Sequence, residues 1–181
     1  MRAMAWLGLA VTALACRHGF APDAGPAQAD AAVIDAAPGD AAPACTFPAS
    51  GCVGGRSYSC GGACFVTCPG PATRPAAAAV CGDWGGALAQ ADTAVRADCA
   101  AAQLLGPEAY IGGLQAGGAG EVDTGWTWPD GSAFAFTRWN AGEPDDSDTI
   151  ESGSENCLVL APSGFWFDGQ CDVPFSFVCM R

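Results

Sequence analysis

Trp126-Thr127-Trp128-Pro129-Asp130-Gly131 opens a stretch that closes at Trp139-Asn140-Ala141-Gly142-Glu143-Pro144-Asp145. Trp126 and Trp128 are two apart and share one face of an extended segment. Pro129-Asp130-Gly131 is turn chemistry, because proline presets φ and glycine accepts conformations that other residues resist. Phe134 and Phe136 flank Ala135, so a strand over Phe134 to Trp139 puts both rings on one side. Beyond Trp139 the apolar residues give way to carboxylates on either side of Pro144. An aromatic core face thus runs directly into an acidic loop.

Working outward, short apolar runs recur at Ala109 to Leu114, Gly125 to Trp128, Asn156 to Ala161, Phe165 to Phe167 and Phe175 to Met180. Turn residues separate them, including Gly117-Gly118 and Asp168-Gly169, so each run reads as a strand. Two helices precede them. Thr73 and Pro75 suit a cap and first turn, and the run to Trp84 carries Ala77, Ala78, Cys81 and Trp84 on one side before Gly85-Gly86 ends it. A second helix starts near the N-cap Asp92 and stops at Gly106-Pro107. Val95, Cys99 and Ala102 recur at helical spacing, which turns Cys99 inward. Two helices followed by short strands make an α+β fold class. Trp126, Trp128, Phe134, Phe136, Phe175 and Phe177 are the expected core, with Trp139 and Trp166 core residues or sugar-stacking surfaces.

The chain begins Met1-Arg2 and continues with thirteen apolar residues from Ala3 to Ala15. That is too short for a bilayer span of ~20 residues and reads as a signal peptide, residues 1–15. Ala13-Leu14-Ala15 fits ordinary cleavage, while the same residues before Cys16 resemble a bacterial lipoprotein box with Cys16 as the lipidated residue. Residues 16–44 are Ala, Pro, Asp and Gly with no capacity for a core, and read as a disordered linker. Residues 45–63 form a Cys-rich extension, followed by a domain over 64–181. Eleven cysteines are present, and setting Cys16 aside leaves ten, enough for five bridges in an exported chain. Cys45, Cys52, Cys60, Cys64, Cys68 and Cys99 allow fifteen pairings, and spacing does not choose among them. The expected location is extracytoplasmic, on a bacterial membrane surface through a lipid anchor or otherwise secreted.

Charge removes several function classes. The net charge is −12, all seven basic residues are arginine, and His18 is the only histidine. Nucleic acid and anionic lipid headgroups are poor partners for such a chain. Membrane association is then expected only through the lipid anchor. Without a histidine in the domain, Ser-His-Asp and Cys-His catalysis and His-ligated zinc are excluded, and without lysine so is Schiff-base chemistry.

Taken in order, these segments resemble the C-type lectin-like domain. Ala79-Val80-Cys81 with Gly85-Gly86-Ala87-Leu88-Ala89 is similar to the family's first helix and the GGxLA after it. Tyr110-Ile111-Gly112-Gly113-Leu114 resembles the WIGL strand, with Tyr for Trp and one added Gly. Residues 126–131 match WxWxDG, residues 139–145 match the loop ending in GEPN with Asp for Asn, and Glu155-Asn156-Cys157, Trp166-Phe167-Asp168 and Phe177-Val178-Cys179 fall at ENC, WND and the closing strand. The resemblance covers about two-thirds of the chain. It implies two helices packed on short antiparallel sheets with a long acidic loop, stapled by the disulfides Cys81–Cys179 and Cys157–Cys171. Cys64 resembles the extra N-terminal cysteine of long-form members, which leaves Cys68 and Cys99 as candidates for a further bridge.

Six of the nineteen acidic residues fall between Asn140 and Asn156: Glu143, Asp145, Asp146, Asp148, Glu151 and Glu155. Gathered on one loop they repel one another, and a divalent cation such as Ca2+, which takes six to eight oxygens, relieves that. An acidic run without an ion is equally a solvated loop. The resemblance implies a calcium ion on Glu143, Asp145, Glu155 and Asp168, with a cis Pro144, and a sugar bound by the same ion and carboxylates. It also implies a fifth ligand at position 167, where Phe167 offers no oxygen, so that Asp146, Asp148 or Glu151 are candidate substitutes. The expected function is a non-enzymatic module binding carbohydrate or a cell-surface glycoconjugate through calcium. The alternative is a calcium-independent module that binds protein or mediates adhesion. A glycoside hydrolase built on a carboxylate pair ranks below both.

Overall fold

The computed structural model describes residues 45–47, 51–116, 123–147 and 155–181. The expected signal peptide, the linker, Cys16, Asp148 and Glu151 lie outside the described residues. Eight strands form one sheet with two helices against it. In chain order they are β1 (Arg56–Cys60), β2 (Ala63–Ala72), α1 (Arg74–Asp83), β3 (Ala87–Leu88), α2 (Ala94–Ala102), β4 (Ala109–Gln115), β5 (Trp126–Thr127), β6 (Cys157–Leu160), β7 (Trp166–Gly169) and β8 (Phe175–Met180). The sheet order is β1-β2-β8-β4-β6-β7, with β3 added to β8 and β5 to β4. All pairs are antiparallel except β4 with β8, where Ala109 faces Ser176 and Tyr110 faces Phe177. The α+β class and the disulfide-stapled architecture expected from sequence are what the chain adopts.

Five disulfides lock the frame. Cys81–Cys179 joins α1 to β8, and Cys157–Cys171 joins β6 to the turn before β8, as the resemblance implies. The N-terminal cysteines pair as Cys45–Cys64, Cys52–Cys68 and Cys60–Cys99. The expected Cys68–Cys99 bridge is therefore wrong. Cys99 on α2 meets Cys60 at the end of β1, while Cys68 lies buried on β2 beneath the N-terminal segment that carries Cys52. Cys64 also exchanges both backbone hydrogen bonds with Arg181, at 2.9 and 3.0 Å, so the start of β2 and Arg181 lie side by side.

Several boundaries differ from the sequence reading. The α2 N-cap is Thr93, whose hydroxyl accepts the Arg96 amide at 3.3 Å, because Asp92 is engaged by the Arg96 guanidinium at 2.7 Å instead. The helix ends at Ala102. Its inward face is Ala97, Ala100 and Ala101; Cys99 is half-buried against the core as expected, but Val95 and Ala102 are exposed, so those two were misassigned. Residues 134–139 are not a strand; they make one isolated bridge, at Trp139, with another just before them at Ala133. Phe134 and Phe136 still both pack edge-on against the buried Trp166, as alternation requires. Trp126, Trp128 and Phe177 are buried core, whereas Phe134, Phe136, Trp139 and Phe175 are partly buried around it. Trp166 is fully buried and offers no surface to a sugar.

The added glycine of β4 has a visible consequence. The β4–β6 register shifts between Tyr110 and Leu114, which is where Gly112 and Gly113 sit. A Cβ on Gly113 would lie 2.6 Å from Leu158 and 2.7 Å from Phe134. The irregularity lets the backbone pass between these side chains, as a bulge does.

Candidate metal and ligand site

The site grows from the sheet edge at β7. The Trp166 amide donates to the Arg138 carbonyl at 2.8 Å, and the Asn140 amide donates to the Trp166 carbonyl at 2.9 Å. These bonds lay the start of the acidic loop along β7. The Glu143 amide then donates back to Asn140 at 3.0 Å, forming a turn, and the Glu143–Pro144 peptide is cis. Two residues further along β7, Asp168 points its carboxylate at the loop. Its two oxygens accept the amides of Asp145 (3.2 Å) and Asp146 (2.9 Å).

Carboxylate oxygens of Glu143, Asp145 and Asp168 consequently lie within 4.8 Å of one another. Two oxygens on opposite sides of one calcium, at about 2.4 Å each, are about 4.8 Å apart, so all three fit the shell of a single ion. Glu155 joins at the margin. The Ser147 amide is shared between Asp145 (3.1 Å) and Glu155 (3.0 Å), which links the fourth carboxylate to the group without bringing it inside the same radius. Asp146 turns away: in the left-handed region at φ 46, it accepts the Glu155 amide at 3.2 Å and braces the loop.

Electrostatics agree with the geometry. The Glu143 carboxyl is pushed up to about 7, first by burial, then by its hydrogen bond to Asp168 and by the charges of Asp145, Asp168 and Glu155. A carboxyl shifted in this direction keeps its proton to higher pH than usual, and a metal would displace that proton. The residues fit a hard divalent ion: three convergent carboxylates with a fourth beside them and no basic side chain in the group.

Phe167 departs from this centre. Its ring packs against the cluster of Tyr110, Val159 and Phe177, with Phe175 alongside, and contributes no oxygen to the site. Two structural supports were not evident from sequence. Ser147 is an unremarkable serine whose backbone does the linking. Tyr110 replaces the family tryptophan, and its hydroxyl lies 2.6 Å from the Gln170 carbonyl and 2.5 Å from that of Val173. That hydroxyl pins the turn containing Cys171.

Residues 71–181, more than half of the chain, match the Lectin C-type domain family. The chain belongs to the C-type lectin domain family. Among curated relatives, human C-type lectin domain family 4 member G is 42% identical over 48 residues, which is 26% of this chain and 15% of that protein. The C-type lectin lectoxin-Lio3 of Erythrolamprus poecilogyrus is 42% identical over 57 residues, 30% of this chain and 33% of that one. The chain therefore spans a minor part of the length of these relatives. Among solved structures, the human scavenger receptor C-type lectin carbohydrate-recognition domain superposes with TM-score 0.61 at 24% identity, covering 69% of this chain and 95% of that one. A calcium-independent type II antifreeze protein superposes with TM-score 0.58, also at 24% identity, covering 69% and 90%. Both establish the C-type lectin fold alone. The curated relatives named here are animal proteins and lend nothing to the bacterial lipoprotein reading. C-type lectin domains are generally binding domains without catalytic activity, and no helix among the described residues is long and apolar enough to cross a membrane.

Proposed function

We propose that this C-type lectin domain recognises glycans outside the cytoplasm through a calcium ion held by Glu143, Asp145 and Asp168, with Glu155 as a fourth carboxylate. The observation that carries the reading is the convergence of three carboxylates within 4.8 Å on a loop anchored to β7. Calcium bound there supplies coordination positions for sugar hydroxyls, and the carboxylates accept hydrogen bonds from the same hydroxyls. The Phe167 position leaves one coordination place to water or ligand. Ten described cysteines, all bridged, support an oxidising compartment. Export by residues 1–15, tethering by 16–44 and lipidation at Cys16 belong to the same proposal, with 45–63 as a stapled extension of the 64–181 domain.

A calcium-independent binding module is the second reading. The backbone amides of Asp145, Asp146 and Ser147 already occupy the carboxylates, and Phe167 withholds a ligand. The solved antifreeze neighbour is described as calcium-independent. Thermal melting separates the two readings, with calcium, with chelator, and with magnesium as an ionic-strength control. Wild type is expected to melt several degrees higher in calcium and to lose retention on immobilised sugar when chelator is added. Indifference of wild type, with dependence gained in Phe167→Asn, establishes the second reading instead.

A further inference from the structure

Phe167 is not simply a missing ligand. Its ring lines a cavity of about 310 Å3 shared with Val159, Val173 and Phe175, whose rim includes Asp168 and Glu155 of the carboxylate site. The lining is mixed: Val159, which is buried, Phe167 and Phe175, which are partly buried, and Val173, which is 39% exposed, form its apolar part, and Glu108, Glu155, Asp168 and Gln170 its polar part. The floor is fixed. Tyr110 meets Phe175 edge-on at 5.1 Å, and its hydroxyl holds the Gln170 and Val173 carbonyls that shape the rim. Cys171, inside the same turn, is bridged to Cys157. A preformed cavity that sets apolar side chains beside a few polar groups is what small organic ligands select.

We propose that this cavity is an aglycone subsite: it seats a neutral apolar substituent, aryl or short alkyl, carried by the sugar held at the adjoining carboxylates. This inference rests on the glycan reading, and it names the class of glycan. Two observations select the occupant. Because Asp168 belongs to both the carboxylate group and the cavity lining, and Glu155 lines the cavity while sharing the Ser147 amide with Asp145, a substituent leaving a sugar at the carboxylate group enters the cavity directly. The lining also holds three carboxylates, with Glu108 as the third, and no arginine, so an anionic substituent such as a uronate or sulfate is repelled. The volume suffices for one aromatic ring, since a cavity of about 150 Å3 already admits benzene. On this view the side chain at position 167 has exchanged a metal contact for ligand selectivity.

The test compares methyl, phenyl and hexyl glycosides of mannose and of galactose, titrated calorimetrically into the full chain in calcium. On wild type, the phenyl and hexyl forms of whichever sugar binds are expected to bind at least about tenfold tighter than the methyl form, the discrimination an apolar pocket can supply. Val173→Asp, which alters only the exposed rim, should remove that preference while leaving methyl glycoside affinity within a factor of about two. Equal affinity for the three glycosides on wild type overturns the inference and spares the glycan reading. If no glycoside binds, the glycan reading fails, and a second arm decides the cavity. Benzyl alcohol alone is titrated while NMR shifts of the Phe167, Val173 and Phe175 side chains are followed. Saturable shifts confined to those residues, lost in Val173→Asp, establish an apolar ligand pocket independent of sugar, and their absence overturns the subsite altogether.

Discussion

Glu143 is the residue whose chemistry most exposes the state of the site. Its folded carboxyl titrates at about 7 against an ordinary 4.5, so between those values the folded protein retains a proton that the unfolded chain has lost. Stability without metal must then decline as pH rises through that window, and level off above it. Melting in chelator from pH 4.5 to 7.5 is expected to show this fall, and Glu143→Gln to flatten it; a wild-type curve that rises across the window contradicts the assignment. Calcium displaces the same proton, so its affinity should climb over the same interval. Sequence reading reached Glu143, Asp145 and Asp168 through the resemblance of residues 139–145 and 166–168 to the family's GEPN and WND motifs. It did not resolve Glu155 from the others, because the difference is one shared amide, that of Ser147.

At the scale of elements, β4 and the disulfides set the frame. Gly113→Ala forces a methyl group between Leu158 and Phe134, and overpacking of this kind costs about 1–3 kcal/mol. Urea unfolding should show that loss, with calcium dependence retained in the folded fraction. The Cys81–Cys179 bridge spans 98 residues and ties α1 to the strand at the centre of the sheet. Replacing both cysteines by serine is expected to cost up to about 4.7 kcal/mol by loop entropy, measured by denaturation of the otherwise oxidised protein. The helices were legible from Pro75, Gly85-Gly86 and the Ala77–Cys81 face of α1, and from the break at Gly106-Pro107 after α2. Their ends were not, since Asp92 and Thr93 are both competent caps and only the Asp92–Arg96 ion pair selects Thr93. Residues 134–139 show the opposite failure: alternation of Phe134 and Phe136 reported the buried face correctly, but an apolar pattern of two demands only an extended chain, not a ladder partner.

For the whole molecule, the decisive quantity is a net charge of −12. Self-repulsion on that scale destabilises the compact state and is screened by salt. Raising sodium chloride from about 0.02 to 0.5 M in chelator should therefore raise the melting temperature, and calcium at matched ionic strength should raise it further than magnesium. Equal effects of the two cations would assign the gain to screening. The fold was legible because six separate motifs, from Tyr110-Ile111-Gly112 to Phe177-Val178-Cys179, occur in one order. The N-terminal extension was not, because bridges among Cys45, Cys52, Cys60, Cys64, Cys68 and Cys99 depend on α2 lying against β1, which no spacing encodes.

The paired backbone of Cys64 and Arg181 has a practical corollary. The carboxylate-bearing strand β7 lies four positions across the sheet from β2, on the order of 19 Å at the usual interstrand spacing. A fluorophore or scaffold joined after Arg181 would therefore emerge beside β2 and leave the acidic edge unobstructed. Arrays displayed through that junction would present their recognition loops outward, turning a weak single-site contact into a multivalent one.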